Sequence, residues 1–199
     1  MKLLFFIIIA YFLGSLPSGV WIGKIAKNMD IRNYGSKNSG ATNAYRILGA
    51  KYGFMVLFAD AFKGFLAVAL ASAGGLSPNA LSIVALVVIV GHSLSFFLAF
   101  KGGKGVATSL GVFLFLEPKV TFLLILVFIV VVFISRYISL GSIVAAGLLP
   151  MLTFYFEVGK EKTNWLLILI TLILGSFVVY RHRSNIVRLL KGTENKFTL

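Results

Sequence analysis

Residues 100–109 read FKGGKGVATS, placing three glycines and two lysines within six positions. Glycine lets the backbone approach a ligand closely, and N–H groups at a helix start point toward an anion. Lys104 adds a point charge, and Thr108 places a hydroxyl one turn inside the helix that follows. The GxxxxGK[ST] spacing of a Walker loop is absent. A turn between two helices needs one glycine, so three glycines with two lysines favour a phosphate cradle made by Gly102, Gly103, Lys104, Gly105 and Thr108.

A second polar stretch, YGSKNSGATNAYRILG, covers residues 34–49. Ser36, Asn38, Thr42 and Asn43 supply hydroxyls and amides beside Lys37 and Arg46, with no carboxylate among them. Many donors without negative charge suit an anionic guest. The alternative is a solvated loop that opens a helix with Thr42 or Asn43 as its N-cap. A third stretch, YRHRSNIVRLLKGTENK at residues 180–196, carries His182, Asn185 and Glu194 within a basic, amphipathic turn or two. Its cations alone would make a patch attracted to anionic lipid. Asp60 and Lys63 stand three apart in an apolar run and share a helix face. They form either a structural ion pair, with Asp60 structural, or one side of a polar cavity in which Lys63 meets substrate.

These stretches must be positioned by apolar helices. Hydrophobic residues make up 59% of the 199-residue chain, well above a soluble domain. Seven apolar segments are expected, at 3–22, 53–73, 80–100, 105–116, 120–135, 138–156 and 164–180. The fold class is therefore an all-α integral membrane protein with about seven transmembrane helices, forming one polytopic domain over residues 1–199. The fourth segment is short: about twelve residues at ~1.5 Å each reach ~18 Å against a core of ~30 Å. Five crossings remain the alternative.

The formal charge of +13 falls unevenly. One side collects fourteen Lys and Arg, at 24–51, 101–104, Arg136 and the tail, and the other collects four. The positive-inside rule then places the N-terminus outside and the C-terminus in the cytoplasm, with all three polar stretches facing the cytoplasm. A basic balance distributed in this way points to a membrane face, and no nucleic acid is expected. The N-terminal run MKLLFFIIIAYFLGSLPSG is read as a retained span and not a cleaved leader, because six basic residues follow it. Pro17 among small residues predicts a kink, and Gly141 and Gly147 predict close helix packing. Arg136 and Ser142 bracket the start of the sixth segment and are candidates to join the site.

With no cysteine, two histidines and six carboxylates, no metal and no cofactor are expected. Neither histidine begins a His-x4-Asp run, and no Ser–His–Asp spacing is present. A strong general base is missing.

Taken in order, GSLPSG, GSKNSGATNAYRILG, DAFKG, GHSLSFFLAFKGGKGVATSLG and HRSNIVRLLKGTE resemble the acyl-phosphate:glycerol-3-phosphate acyltransferases of bacterial membranes, the PlsY family, over nearly the whole chain. The resemblance implies a multi-pass enzyme of the bacterial cytoplasmic (inner) membrane, its active site facing the cytoplasm. It would move a fatty acyl group from acyl phosphate to the 1-hydroxyl of sn-glycerol 3-phosphate, giving lysophosphatidic acid and inorganic phosphate. It further implies Ser36, Arg46, His182 and Asn185 as catalytic residues, the 102–105 segment as the glycerol 3-phosphate site, and Glu194 as structural. Partners would be the two substrates and membrane lipid, with a monomer as the working expectation.

Two mechanisms fit. A phosphate oxygen of the donor accepts the hydroxyl proton during direct transfer, or Ser36 forms an acyl-enzyme. Direct transfer is favoured, since nothing in the sequence places a base beside Ser36. A transporter of phosphorylated metabolites is the rival class, disfavoured by the absence of an internal repeat and by polar motifs gathered on one face.

Overall fold

The computed structural model describes residues 1–197, and within these the regular structure is helical. The chain forms two compact units, Met1–Leu116 and the remainder from Glu117.

In the first unit, α1 (Lys2–Ser15) and α2 (Ser18–Lys27) form one 26-residue apolar stretch interrupted at Leu16–Pro17. Proline has no N–H, and the break leaves backbone carbonyls without helical partners. Side chains from elsewhere in the unit take them up. Ser95 Oγ donates to the Ser15 carbonyl at 2.5 Å, and Lys63 Nζ donates to the Leu16 carbonyl at 2.8 Å. The kink expected at Pro17 is thus a full break, tolerated because its polar groups are satisfied inside protein.

A loop leads to α3 (Ala41–Leu48), followed by α4 (Ala50–Ala73) and α5 (Pro78–Ser93). The start of α5 combines Pro78 in the first turn with Ser77 as N-cap, its hydroxyl accepting from Ala80 N. The short α6 (Val106–Leu116) packs against α4 through small residues. A Cβ on Gly111 would fall 1.8 Å from the Ala61 carbonyl oxygen, and one on Gly64 would fall 2.3 Å from that of Thr108. Only glycine lets these backbones meet, as expected where helices associate by close contact in lipid. The core of the unit is aliphatic, with Val56, Val68, Val84, Val88 and Ile89 fully buried.

The second unit contains α7 (Pro118–Ser135), α8 (Ile138–Val158), α9 (Trp165–Arg181) and α10 (Arg183–Leu190). Phe122, Ile129, Val130, Phe133 and Ile134 of α7 are exposed, an apolar face suited to lipid. Gly175 of α9 faces the Ala146 carbonyl of α8, and Gly141 of α8 faces Phe128 and Val132 of α7. Gly147, also expected to pack closely, has open space beside it.

Among the described residues, five helical stretches are long and apolar enough to cross a membrane: Lys2–Lys27, Ala50–Ala73, Pro78–Leu98, Pro118–Ser135 and Ile138–Val158. A sixth is counted if α9 and α10, bent by 55° at their junction, form one span. The remaining apolar segment is α6, which at 11 residues falls below spanning length.

Candidate functional site

The 34–49 stretch folds around one side chain. Asn43 is 1% exposed, and both ends of its amide are engaged. Its Oδ1 accepts from the Ser36 backbone N–H at 2.9 Å and from the Ser36 hydroxyl at 3.1 Å. Its Nδ2 donates to the carbonyls of Ile31, Tyr34 and Asn38. Asn38 Oδ1 accepts from Gly40 N, closing a local turn. Upstream, Asp30 accepts from the backbone and guanidinium of Arg32, and this guanidinium holds the Asp30 carboxyl below its usual range.

Asn38 and Asn43, expected on the substrate, both bond the loop itself, Asn43 through its whole amide and Asn38 through Oδ1. Neither Thr42 nor Asn43 caps α3, because Gly40 occupies that position without a side-chain bond. Ser36 is exposed, and Thr42 and Arg46 are half-buried. These three remain candidates to meet a ligand.

A small recess lies within the same unit. It is lined by the Ser15–Gly19 break together with Ser39, Asp60, His92, Ser95 and Leu98. Asp60 and Lys63 are paired at 2.8 Å, with side chains only 3% and 5% exposed. Lys63 also bonds the Leu16 carbonyl, so the lysine expected on substrate instead neutralises Asp60 and caps the broken helix. Burying both charges as an ion pair answers the cost each would carry alone in lipid. His92 Nδ1 lies 3.6 Å from Asp60 Oδ1.

The glycine-rich stretch is built differently from the cradle expected of it. The N–H of Gly102 donates to the Ser93 carbonyl and that of Gly103 to the His92 carbonyl, both at 3.1 Å. These two amides are engaged by the end of α5. Their glycines are required by crowding: a Cβ on Gly102 would sit 2.0 Å from the His92 carbonyl oxygen, and one on Gly103 would sit 2.1 Å from its Nε2. Gly105, with φ +90, turns the chain into α6 in a conformation that favours glycine. Lys104 between them is half-buried. Thr108 is fully buried, with its backbone oxygen against Gly64 and its hydroxyl bonded to no described group, so it lies inside the α4–α6 packing.

In the second unit, His182 stands where α9 ends and α10 begins, and is 3% exposed. Its Nδ1 lies 2.8 Å from the Val178 carbonyl oxygen. A carbonyl can only accept, so Nδ1 carries the proton and Nε2 is the basic nitrogen of the neutral ring. Asn185 donates to Glu194 Oε1 at 2.8 Å, Ser139 to the same oxygen at 3.0 Å, and Arg188 Nε to Oε2 at 2.7 Å. Burial raises the Glu194 pKa, but the bonds from Asn185, Arg188 and Ser139 outweigh it and hold the carboxyl below its ordinary value. Glu194 thereby ties the start of α8 to α10. Ser142, another expected ligand contact, donates back to the Ile138 carbonyl one turn earlier.

His92, Ser39 and Ser95 line the recess and escaped the sequence reading. A signal for His92 was present: a histidine in an apolar run, in a chain with an acid–base pair in another run, is costly unless partnered.

Comparison with known proteins gives these residues a context. The profile of the family described as glycerol-3-phosphate acyltransferase matches residues 4–192. The glycerol-3-phosphate acyltransferase of Fusobacterium nucleatum is 55% identical over 192 residues, covering 96% of each chain. A crystal structure of PlsY, an integral membrane glycerol 3-phosphate acyltransferase, in its glycerol 3-phosphate form is similar at a TM-score of 0.87 and 40% identity. It matches 100% of this chain and 96% of its own. The lysophosphatidic acid form of PlsY aligns with a TM-score of 0.84 and 38% identity, with the same coverage. The chain belongs to the glycerol-3-phosphate acyltransferase family.

Proposed function

We propose that this chain is an integral membrane enzyme that transfers a fatty acyl group from acyl phosphate to the 1-hydroxyl of sn-glycerol 3-phosphate, releasing lysophosphatidic acid and inorganic phosphate. The observation that carries this reading is full-length similarity to a PlsY structure in its glycerol 3-phosphate form. The geometry supports it in the first unit, where Ser36 is exposed on a loop already folded by Asn43.

Ser36, Thr42, Arg46 and Lys104 supply hydroxyl and cationic donors for phosphate, helped by the turn at Gly105. Charge-assisted hydrogen bonds contribute about 1.5–3 kcal/mol each, so a few suffice for specific capture. Because the N–H groups of Gly102 and Gly103 are already bonded, those residues shape the segment and Lys104 makes the contact. His182 and Asn185 serve the same reaction, and Glu194 holds Asn185.

The donor is a mixed anhydride. The 1-hydroxyl oxygen bonds to the acyl carbon, the bond from that carbon to the phosphate oxygen breaks, and a phosphate oxygen takes the hydroxyl proton. The leaving group needs little acid assistance, so orientation and charge stabilisation supply most of the catalysis. Direct transfer is favoured over an acyl-enzyme because the Ser36 hydroxyl donates to the Asn43 amide oxygen, which is no proton-accepting base. Trapping of acylated protein by acyl phosphate alone would reverse that order.

We further assign seven crossings, with α6 the short one, the N-terminus outside, and the C-terminus and motifs on the cytoplasmic side of the bacterial inner membrane. The basic residues concentrated there support this placement. A cysteine at Ser77 should label from outside only, and cytoplasmic labelling overturns the topology.

The deciding assay offers purified protein labelled glycerol 3-phosphate with palmitoyl phosphate or palmitoyl-CoA. Lysophosphatidic acid from palmitoyl phosphate alone is expected. Product from palmitoyl-CoA alone overturns the donor, and liposome uptake of the phosphate compound without product favours a transporter.

A further inference from the structure

We propose that His92, oriented by the buried Asp60–Lys63 pair, is a positioning residue that sets the path of Gly102–Gly103 and so the placement of Lys104. The proposal rests on the reading of Lys104 as a contact for glycerol 3-phosphate.

His92 is the penultimate residue of α5 and is 7% exposed. It meets the 102–105 segment at two points. Its carbonyl accepts the Gly103 N–H at 3.1 Å, and its ring lies where a side chain on Gly103 would begin, 2.1 Å from Nε2 to that Cβ position. The adjacent Ser93 carbonyl accepts the Gly102 N–H, so backbone and ring together define the segment that ends at Lys104. On the opposite edge of the ring, Nδ1 faces Asp60 Oδ1 at 3.6 Å, and the same oxygen is 2.8 Å from Lys63 Nζ. Lys63 is held in turn by the Leu16 carbonyl at the helix break. A continuous series of contacts therefore joins the break in the first span, α4, the end of α5 and the residue beside Lys104.

Packing alone does not require this chemistry. An aliphatic side chain would fill the space without placing a carboxylate and an ammonium in an apolar helix. What a carboxylate beside one imidazole nitrogen adds is a defined ring orientation, as seen where carboxylates orient metal-bound or catalytic histidines. The oriented ring then meets Gly103 from one side only, and glycine there permits the contact. No proton transfer is asked of His92. Its effect reaches substrate through Lys104.

The test is steady-state kinetics of full-length enzyme in detergent, with His92→Asn and Lys104→Gln measured side by side. Asn keeps a polar group within reach of Asp60 but withdraws the ring from Gly103. For both variants the KM for glycerol 3-phosphate should rise on the order of tenfold or more, since misplacing a binding group by about 1 Å has effects of that size. The kcat should stay within about threefold, and the KM for palmitoyl phosphate within about twofold, as for lost ground-state binding.

An unchanged glycerol 3-phosphate KM in His92→Asn, with a raised one in Lys104→Gln, overturns the positioning role. An unchanged KM in Lys104→Gln overturns the underlying reading instead. Thermal unfolding in detergent checks that His92→Asn is folded. If it is not, His92→Phe replaces it, keeping a ring beside Gly103 with no nitrogen toward Asp60, and the same rise is expected. Gly103→Ala, alone and combined with the His92 variant, completes a double-mutant cycle. Coupled residues should give a double variant with a KM close to that of the worse single variant. If the two effects multiply, His92 does not act through Gly103 and the proposal fails.

Discussion

Two loops of this protein are each organised by one buried polar side chain, and the two side chains differ in charge. In the first unit Asn43 gathers the 31–38 backbone with an amide that both accepts and donates. In the second unit Glu194 gathers Asn185, Arg188 and Ser139 with a carboxylate that only accepts. The amide suits a ring of backbone groups, because a loop offers N–H and C=O alike. The carboxylate suits side-chain donors, one of them cationic, and its bonds are stronger for being charge-assisted. The amide hub has no titration in the ordinary range, whereas the carboxylate hub depends on pH.

The largest effect should come from breaking the amide hub. Asn43→Ala orphans three carbonyl acceptors and frees the Ser36 hydroxyl, costing about 2–4 kcal/mol in unfolding free energy and nearly all acyl transfer. Denaturant melts and the palmitoyl phosphate assay would check this. Asn43→Asp should retain the two Ser36 bonds but lose every bond to a carbonyl, and its residual activity should recover as the assay pH is lowered and the new carboxyl protonates. Recovery in the opposite direction would contradict the donor role of Nδ2.

Glu194→Gln should be milder. One amide oxygen still accepts from Asn185 and Ser139, but an amide N–H then faces the Arg188 guanidinium. A loss of about 1–2 kcal/mol is expected, with reduced kcat through Asn185. Full activity in this variant would remove Glu194 from the support of Asn185.

A smaller effect separates the hubs by pH. The folded Glu194 pKa lies below its unfolded value, so its contribution is present above about pH 4.3 and is lost as pH falls through the folded pKa. Melts between pH 7 and pH 3 should show this slope in the wild type, and Glu194→Gln should flatten it. The smallest effect belongs to Ser142→Ala. That hydroxyl bonds within its own helix, so activity within about threefold of wild type is expected. A hundredfold loss would return Ser142 to the site.

Much of this architecture is legible in the order of residues. The apolar runs mark the helices because covering backbone polar groups in lipid is a local demand on about twenty consecutive residues. The break at Pro17 follows from proline chemistry in the same local way. Less legible is where a short run stops being a span: α6 contains 11 residues, and its close fit to α4 depends on Gly64, more than forty positions earlier.

The three polar stretches were likewise visible as the places where chemistry could occur, since their residue types and basic flanks are local properties. Which of their groups face a ligand was not. Asn38, Asn43, Lys63, Ser142 and the N–H groups of Gly102 and Gly103 look in sequence like ligand contacts, and in the fold each is bonded to protein.

Sequence by itself determined a helical membrane chain, its family motifs and the cationic character of the polar stretches, because composition and short-range spacing govern all three. Tertiary structure alone decided which polar groups build the loops. Each hydrogen-bond partner is chosen by proximity in space: Lys63 finds Leu16 across 47 positions, and Ser139 finds Glu194 across 55. No spacing along the chain encodes those distances.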